Sequence, residues 1–184
     1  MKKEFRFSGI GGQGIILLGT ILGRALSLYE NLNVVQTMYY SAAYRGGLTT
    51  TDIIVTDEEL YDLTAHQPTY LVLTAKKAFA ANKTLLTTAL CAIIDTYSIP
   101  LDDTCKKQML SSFFLDDFYN LAQKHKLNPR SANMIMLGII AKQSGMVSEQ
   151  SVIHALCDVQ KKEKEDNMKA ISIGFHIIKN QHGV

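Results

Sequence analysis

The chain has 184 residues, 47% hydrophobic, 20% charged and 8% aromatic, with 12 glycines and 3 prolines. This composition fits a globular domain with its own core and excludes disorder, collagen-like repeats and a coiled coil. With 19 basic and 17 acidic residues the formal charge is +2, too near balance for nucleic acid or a membrane surface to be recognised through the overall field.

No linker or internal repeat interrupts the sequence, so a single domain over 1–184 is expected. Cys91, Cys105 and Cys157 stand far apart without metal-ligand spacing and read as buried thiols in a reducing compartment. The apolar run Met134 to Ala141 falls well short of the roughly 20 residues that span a bilayer. Glu4 and Arg6 interrupt any signal-peptide core after Lys2 and Lys3. The expected setting is cytoplasmic, with no membrane, nucleic-acid or metal partner.

In chain order, Glu4 to Ser8 reads as a strand, followed by a glycine loop. Ile15, Leu18, Leu22, Ala25 and Leu26 then mark one face of a helix to about Tyr29. Val34 to Met38 reads as a second strand. A βαβ crossover would make these two strands neighbours, with the helix across them and their C-terminal ends on one edge. Tyr39 to Gly47 reads as an irregular loop, Thr49 to Thr56 as a strand closed by Asp57-Glu58-Glu59, and Tyr70 to Thr74 and Cys91 to Asp95 as buried strands around a helical Ala75 to Leu90. A sheet of roughly five strands follows. Pro100 to Ser112 has mixed signals, while Phe113, Phe114, Leu115 and Phe118 need cover. Asn128-Pro129 starts a buried helix through Met134 to Ala141, Gly145 ends it, Ser148 caps another, Lys161 to Asp166 reads as a solvated face, and Ala170, Ile171, Phe175 and Ile178 mark a last amphipathic helix. The fold class is α/β, a Rossmann-like three-layer sandwich with a mostly parallel sheet and a helical C-terminal third.

Gly9-Ile10-Gly11-Gly12-Gln13-Gly14 lies between strand and helix, where glycines permit a tight turn and the helix start attracts a phosphate or carboxylate. The same glycines would also serve a turn packed against protein. A nicotinamide dinucleotide would want an acidic residue at the end of the second strand, and Val34 to Met38 has none; Glu30 falls at the strand's other end. Tyr39 to Gly47 should leave the same edge, so that two loops face one crevice. Arg45 there offers a fork of donors for an anion, and three tyrosines around it also resemble an interface hot spot. His66, His125, His154, His176 and His182 are scattered, and nothing brings together Asp52, Asp95, Asp116 and Asp117. No catalytic residue is assigned.

The stretches Phe7 to Leu26, Val34 to Asp57, Ala132 to Ser148 and Asp166 to Gly174, with their GGQG, RGG and N-M-x-x-L-G motifs, resemble the gamma subunit of the 2-oxoacid:ferredoxin oxidoreductases over nearly the whole chain. Matched by position, Gly9, Gly11, Gly12, Gln13 and Gly14 correspond to that family's glycine loop, Tyr40 to its loop tyrosine, and Arg45, Gly46 and Gly47 to its RGG. Tyr40-Ser41-Ala42 departs from the family's Tyr-Gly-Pro, Thr69 replaces a frequent aspartate, and Thr74-Ala75 replaces an asparagine-containing end.

The resemblance implies a subunit of an enzyme that oxidatively decarboxylates a 2-oxoacid, forms an acyl-CoA and passes electrons to ferredoxin, with Val35-Gln36-Thr37 leaning to 2-oxoglutarate. It implies alpha and beta partner subunits, with a ferredoxin-like delta subunit as a further candidate; an isolated chain could pair with itself through the surfaces those partners would cover. Thiamine diphosphate, iron–sulfur clusters and coenzyme A would belong to the complex, with none bound by this chain alone. The matched residues would lie beside the coenzyme A route or a subunit interface. A self-sufficient dinucleotide-binding oxidoreductase and a purely structural module remain the alternatives.

Overall fold

Phe5 and Phe7 are fully buried among apolar helices, while Glu4, Arg6 and Ser8 alternate with them onto the opposite face. The computed structural model describes residues 2–41, 46–59, 61, 63–103, 106, 112–160 and 164–177. The strands are β1 (Lys2–Ile10), β2 (Asn33–Tyr40), β3 (Leu48–Thr56), β4 (Tyr70–Leu73), β5 (Cys91–Asp95) and β6 (Phe114–Asp116), in the order β2-β3-β1-β4-β5-β6. β1, β4, β5 and β6 run parallel, whereas β3 is antiparallel to both β1 and β2.

This order corrects the expected pairing of β1 with β2. The β2–β3 connection is short enough for a hairpin, so β3 folds back along β2 and takes the place beside β1. Burial explains which strand lies inside. Ile53, Ile54 and Val55 present apolar side chains to both faces of β3, while β2 ends in the exposed Met38, Tyr39 and Tyr40 and remains at the edge. β1 and β2 still point the same way. β2 also runs through Tyr40, two residues into the expected loop. The sheet has six strands rather than five because Phe114–Asp116 joins β5, and Phe113, Phe114 and Phe118 are all buried. Most of Pro100 to Ser112, Lys161 and Ile178 lie outside the described residues.

The helices are α1 (Ile15–Arg24), continued by a π-helical turn (Ala25–Tyr29), α2 (Lys76–Ala81), α3 (Phe118–Lys124), α4 (Ala132–Ser144), α5 (Glu149–Val159) and α6 (Lys164–His176). α1 and α4 lie on the face of Phe5, Phe7, Val72 and Ile93; α2 and a 3-10 turn (Lys83–Thr87) cover the other face, where Leu71, Leu73 and Ile94 are buried. α5 and α6 pack on α1 and α4 as an outer tier. Asn128 caps as expected, accepting from the Arg130 N–H at 3.0 Å, but a 3-10 turn (Pro129–Ser131) comes first and α4 starts at Ala132. Gly145 ends α4 at φ 64°, and Ser148 caps α5 by accepting from the Ser151 N–H at 3.2 Å.

α4 and α6 meet through two glycines. A β-carbon on Gly138 would strike the Ile171 carbonyl oxygen and lie 3.0 Å from Gly174 Cα. The two backbones therefore touch where side chains would hold them apart. Gly138→Ala should lower the unfolding free energy by about 1–3 kcal/mol despite alanine's better helix propensity. A urea titration would show a lower midpoint with an unchanged slope.

Candidate functional site

The β1–α1 loop is held from inside by Gln13. Its Oε1 accepts from the Ile10 N–H at 2.8 Å and the Thr74 hydroxyl at 2.7 Å, and its Nε2 donates to the Thr74 carbonyl at 2.9 Å. Thr74 thus supplies a hydroxyl donor and a backbone acceptor. Gly9 lies so close to this clamp that a β-carbon there would collide with the Thr74 and Gln13 side chains. Gly12 and Gly14 sit at φ 93° and 73°, a region that favours glycine. Gly14 is the N-cap of α1 and has no side chain to cap it, so the first N–H groups of the helix face an incoming acceptor.

The loop also touches the second predicted segment. The Gly11 N–H donates to the Gly47 carbonyl at 3.2 Å, and Lys77 Nζ donates to the Gly46 carbonyl at 3.2 Å. Gly9, Gly11, Gly12, Gln13, Gly14, Gly46 and Gly47 are therefore brought together. Tyr40 stands at the end of β2, 67% exposed, with its hydroxyl 3.7 Å from Met38 Sδ. Arg45, like Ala42, Ala43 and Tyr44, lies outside the described residues.

A cleft of ≈ 350 Å³ opens on the loop's other flank, toward the carboxyl ends of β4 and β5. Gly12 to Gly14 form one wall, and Asp95, Tyr97, Tyr119, Arg130 and Asn133 form much of the rest. It lies where β1 has antiparallel β3 on one side and parallel β4 on the other. Such a break in strand order is a common binding position in open α/β sheets. Tyr97 and Tyr119 stack with ring centres 4.9 Å apart and planes at 13°. Asn133 Nδ2 donates to the Gln13 carbonyl at 3.3 Å, leaving Asn133 Oδ1 buried without a partner. Burial pushes the Asp95 carboxyl above its ordinary range, against hydrogen bonds from the Ser98 hydroxyl and the Tyr97 and Phe118 N–H groups.

The remaining candidates are accounted for elsewhere. Asp52 makes a bidentate pair with Arg6 at 2.7 and 2.6 Å, and Asp117 caps α3. His66, His125, His154 and His176 are exposed. Burial pushes Glu30 up, but the Ser148 N–H and the Ser151 and Ser148 hydroxyls outweigh it and hold the carboxyl low. Glu30 precedes β2 and so lies at the strand end away from the glycine loop. Cys91 is buried, Cys157 is half-buried rather than buried as expected, and Cys105 lies outside the described residues. Among the described residues, no three His, Cys, Asp or Glu side chains converge as a metal site, and no helix is long and apolar enough to cross a membrane.

Comparison with known proteins gives a consistent result. Residues 4–177 match the family described as pyruvate ferredoxin/flavodoxin oxidoreductase. The 2-oxoglutarate synthase subunit KorC of Methanocaldococcus jannaschii is 33% identical, over 97% of this chain and 95% of that protein. KorC of Methanothermobacter marburgensis is 30% identical, over 97% of each. Among solved structures, the gamma subunit of a keto/oxoacid ferredoxin oxidoreductase from Geobacter sulfurreducens superposes with a TM-score of 0.75 at 25% identity, covering 95% of each chain.

Gln13→Ala should cost about 1–3 kcal/mol, because it leaves buried backbone and hydroxyl groups unpaired; urea denaturation at neutral pH measures the loss. For Asp95, the native carboxyl binds its proton more tightly than the unfolded one, whose ordinary pKa is 3.8. Its stabilising contribution is therefore present below that value and is lost as pH rises through the raised native pKa. The stability of Asp95→Asn relative to the parent should rise over that window and then level off, as read from denaturation midpoints across pH.

Proposed function

The chain belongs to the pyruvate ferredoxin/flavodoxin oxidoreductase family, and on that premise we propose that it is the gamma subunit of a multi-subunit 2-oxoacid:ferredoxin oxidoreductase acting on 2-oxoglutarate. The enzyme would decarboxylate the acid oxidatively, form its acyl-CoA and deliver the electrons to ferredoxin. The observation that carries this reading is the nearly end-to-end correspondence with two KorC subunits at 33% and 30% identity.

Within that enzyme, this chain supplies a surface rather than a reacting group. Thiamine diphosphate and iron–sulfur clusters belong to the partner subunits in this reading, and the described side chains offer no cluster ligand set. The outward N–H groups at the start of α1 fit an anion, and the cleft beside them, with its stacked tyrosines, accepts a larger ligand. We place the coenzyme A route along this edge. Gln13 keeps the loop in shape, while Gly11 and Gly12 let a ligand approach the backbone. A self-sufficient dinucleotide enzyme is disfavoured because β2 ends without a carboxylate and Glu30 is engaged at α5.

The subunit reading is tested by purifying the chain with its partners from its own cells and measuring 2-oxoglutarate- and coenzyme A-dependent reduction of ferredoxin. The complex should be active and the lone chain inactive. An active lone chain with bound dinucleotide would overturn the assignment. Gly11 is exposed, and a β-carbon there would meet nothing within 4 Å, so Gly11→Val should keep stability within about 0.5 kcal/mol. In the complex it should raise KM for coenzyme A about tenfold with kcat retained. Loss of assembly would make the loop a subunit contact instead, and no change in either would remove the ligand role.

A further inference from the structure

The two edges of the sheet are built differently. β6 is a three-residue strand ending at the exposed Asp116, next to Asp117, a short and charged edge of the kind that resists pairing. β2 is eight residues long, Asn33-Val34-Val35-Gln36-Thr37-Met38-Tyr39-Tyr40, without a charge, a proline or a glycine. Met38, Tyr39 and Tyr40 are 47%, 48% and 67% exposed.

The backbone of this edge can be read residue by residue. The Ser41 N–H donates to the Leu48 carbonyl at 2.9 Å, and the Thr51 hydroxyl reaches the Thr37 carbonyl at 3.0 Å. Odd-numbered residues of β2 therefore direct their backbone groups toward β3. By antiparallel alternation, Val34, Gln36, Met38 and Tyr40 direct theirs out of the sheet.

We propose that β2 is a self-pairing edge, on which a second copy of this chain adds its own β2 antiparallel about a two-fold axis at Thr37. This register sets Gln36 opposite Met38, Val35 opposite Tyr39 and Val34 opposite Tyr40, and it joins the outward-facing backbone groups of both copies. Residues placed opposite share a face, so each side of the sheet gains a pair of valine–tyrosine contacts, a favourable combination across strands. A two-fold axis brings any charge near it close to its own copy; β2 carries none. At the axis, Thr37 meets Thr37 as a non-hydrogen-bonded pair, the closer of the two antiparallel spacings. Thr37 Oγ1 has no hydrogen-bond partner within the chain, and a turn of its side chain toward the axis brings it to the copy's hydroxyl. The pairing depends on the strand alone and does not rest on the enzymatic reading.

The test uses the full chain, purified alone, with its mass measured in solution by light scattering at about 50 µM. A dimer is expected. Thr37→Cys should cross-link to itself under mild oxidation, while Thr84→Cys, on an exposed site away from the edge, should not. Val35→Lys with Tyr39→Lys sets like charges opposite each other and should weaken the dimer about a hundredfold. Val35→Lys with Tyr39→Glu sets lysine opposite glutamate and should restore it. The cross-linking variant keeps the test decisive if a charged variant folds poorly. A monomer, or a dimer that neither cross-links through Thr37→Cys nor weakens with the lysine pair at 35 and 39, overturns the proposal and leaves the edge to a strand of another protein.

Discussion

The amide of Gln13 binds Ile10 on one side and Thr74 on the other, and so ties the end of β1 to the end of β4. Every bond of the Gln13 side chain points inward, and the Gly11 and Gln13 N–H groups are held by the Gly47 and Ile10 carbonyls, so the open N–H groups are those at the start of α1. Gly9 permits the close approach, Gly12 and Gly14 the turn, and Asn133 closes over the back from α4. Rigidity inside and open backbone outside come from the same few contacts. A glutamine placed to bind a ligand directly would give neither.

The outer helices serve that arrangement at one remove. α4 brings Asn133 to the glycine loop only because α6 holds it down, and the two lie backbone to backbone at Gly138 and Gly174. At the start of α4, the Ser131 hydroxyl donates to Asn167 of α6, which in turn donates to Gln160 beyond α5. The N-M-x-x-L-G and D-N-M segments that look like signature motifs thus have a mechanical reason: one is the site's rear wall, and the other its support.

Much of this was legible in the sequence. Strands announced themselves as apolar runs bounded by turns, and caps at Asn128, Gly145 and Ser148 marked helix ends by local chemistry. Strand order was not legible, since a period of two reveals which face a residue takes and says nothing of its neighbour strand. β3 sits beside β1 because Ile53, Ile54 and Val55 are apolar on both faces, a comparison between strands rather than within one. The Gln13 clamp was hidden because Thr74 lies 61 residues away, and Asn133 is 120 residues from the carbonyl it reaches. Asp95 was visible as a carboxylate after an apolar run, but only the folded sheet sets it beside the glycine loop.

The reversed strand also has a consequence for how the molecule assembles. β1, α1, β2 and β3 are complete by Thr56, so a three-stranded antiparallel sheet with a helix across it can close from contiguous chain while the remainder is still being synthesised. The β2–β3 hairpin is the most local pairing available and forms quickly. The parallel half must instead wait for Tyr70 to dock on the free side of β1. Phe5 and Phe7 meanwhile have only α1 over them until α4 (Ala132–Ser144) follows. The long uncharged edge and the half-covered core therefore coincide from Thr56 until α4 is made, the stretch of synthesis most exposed to misassociation.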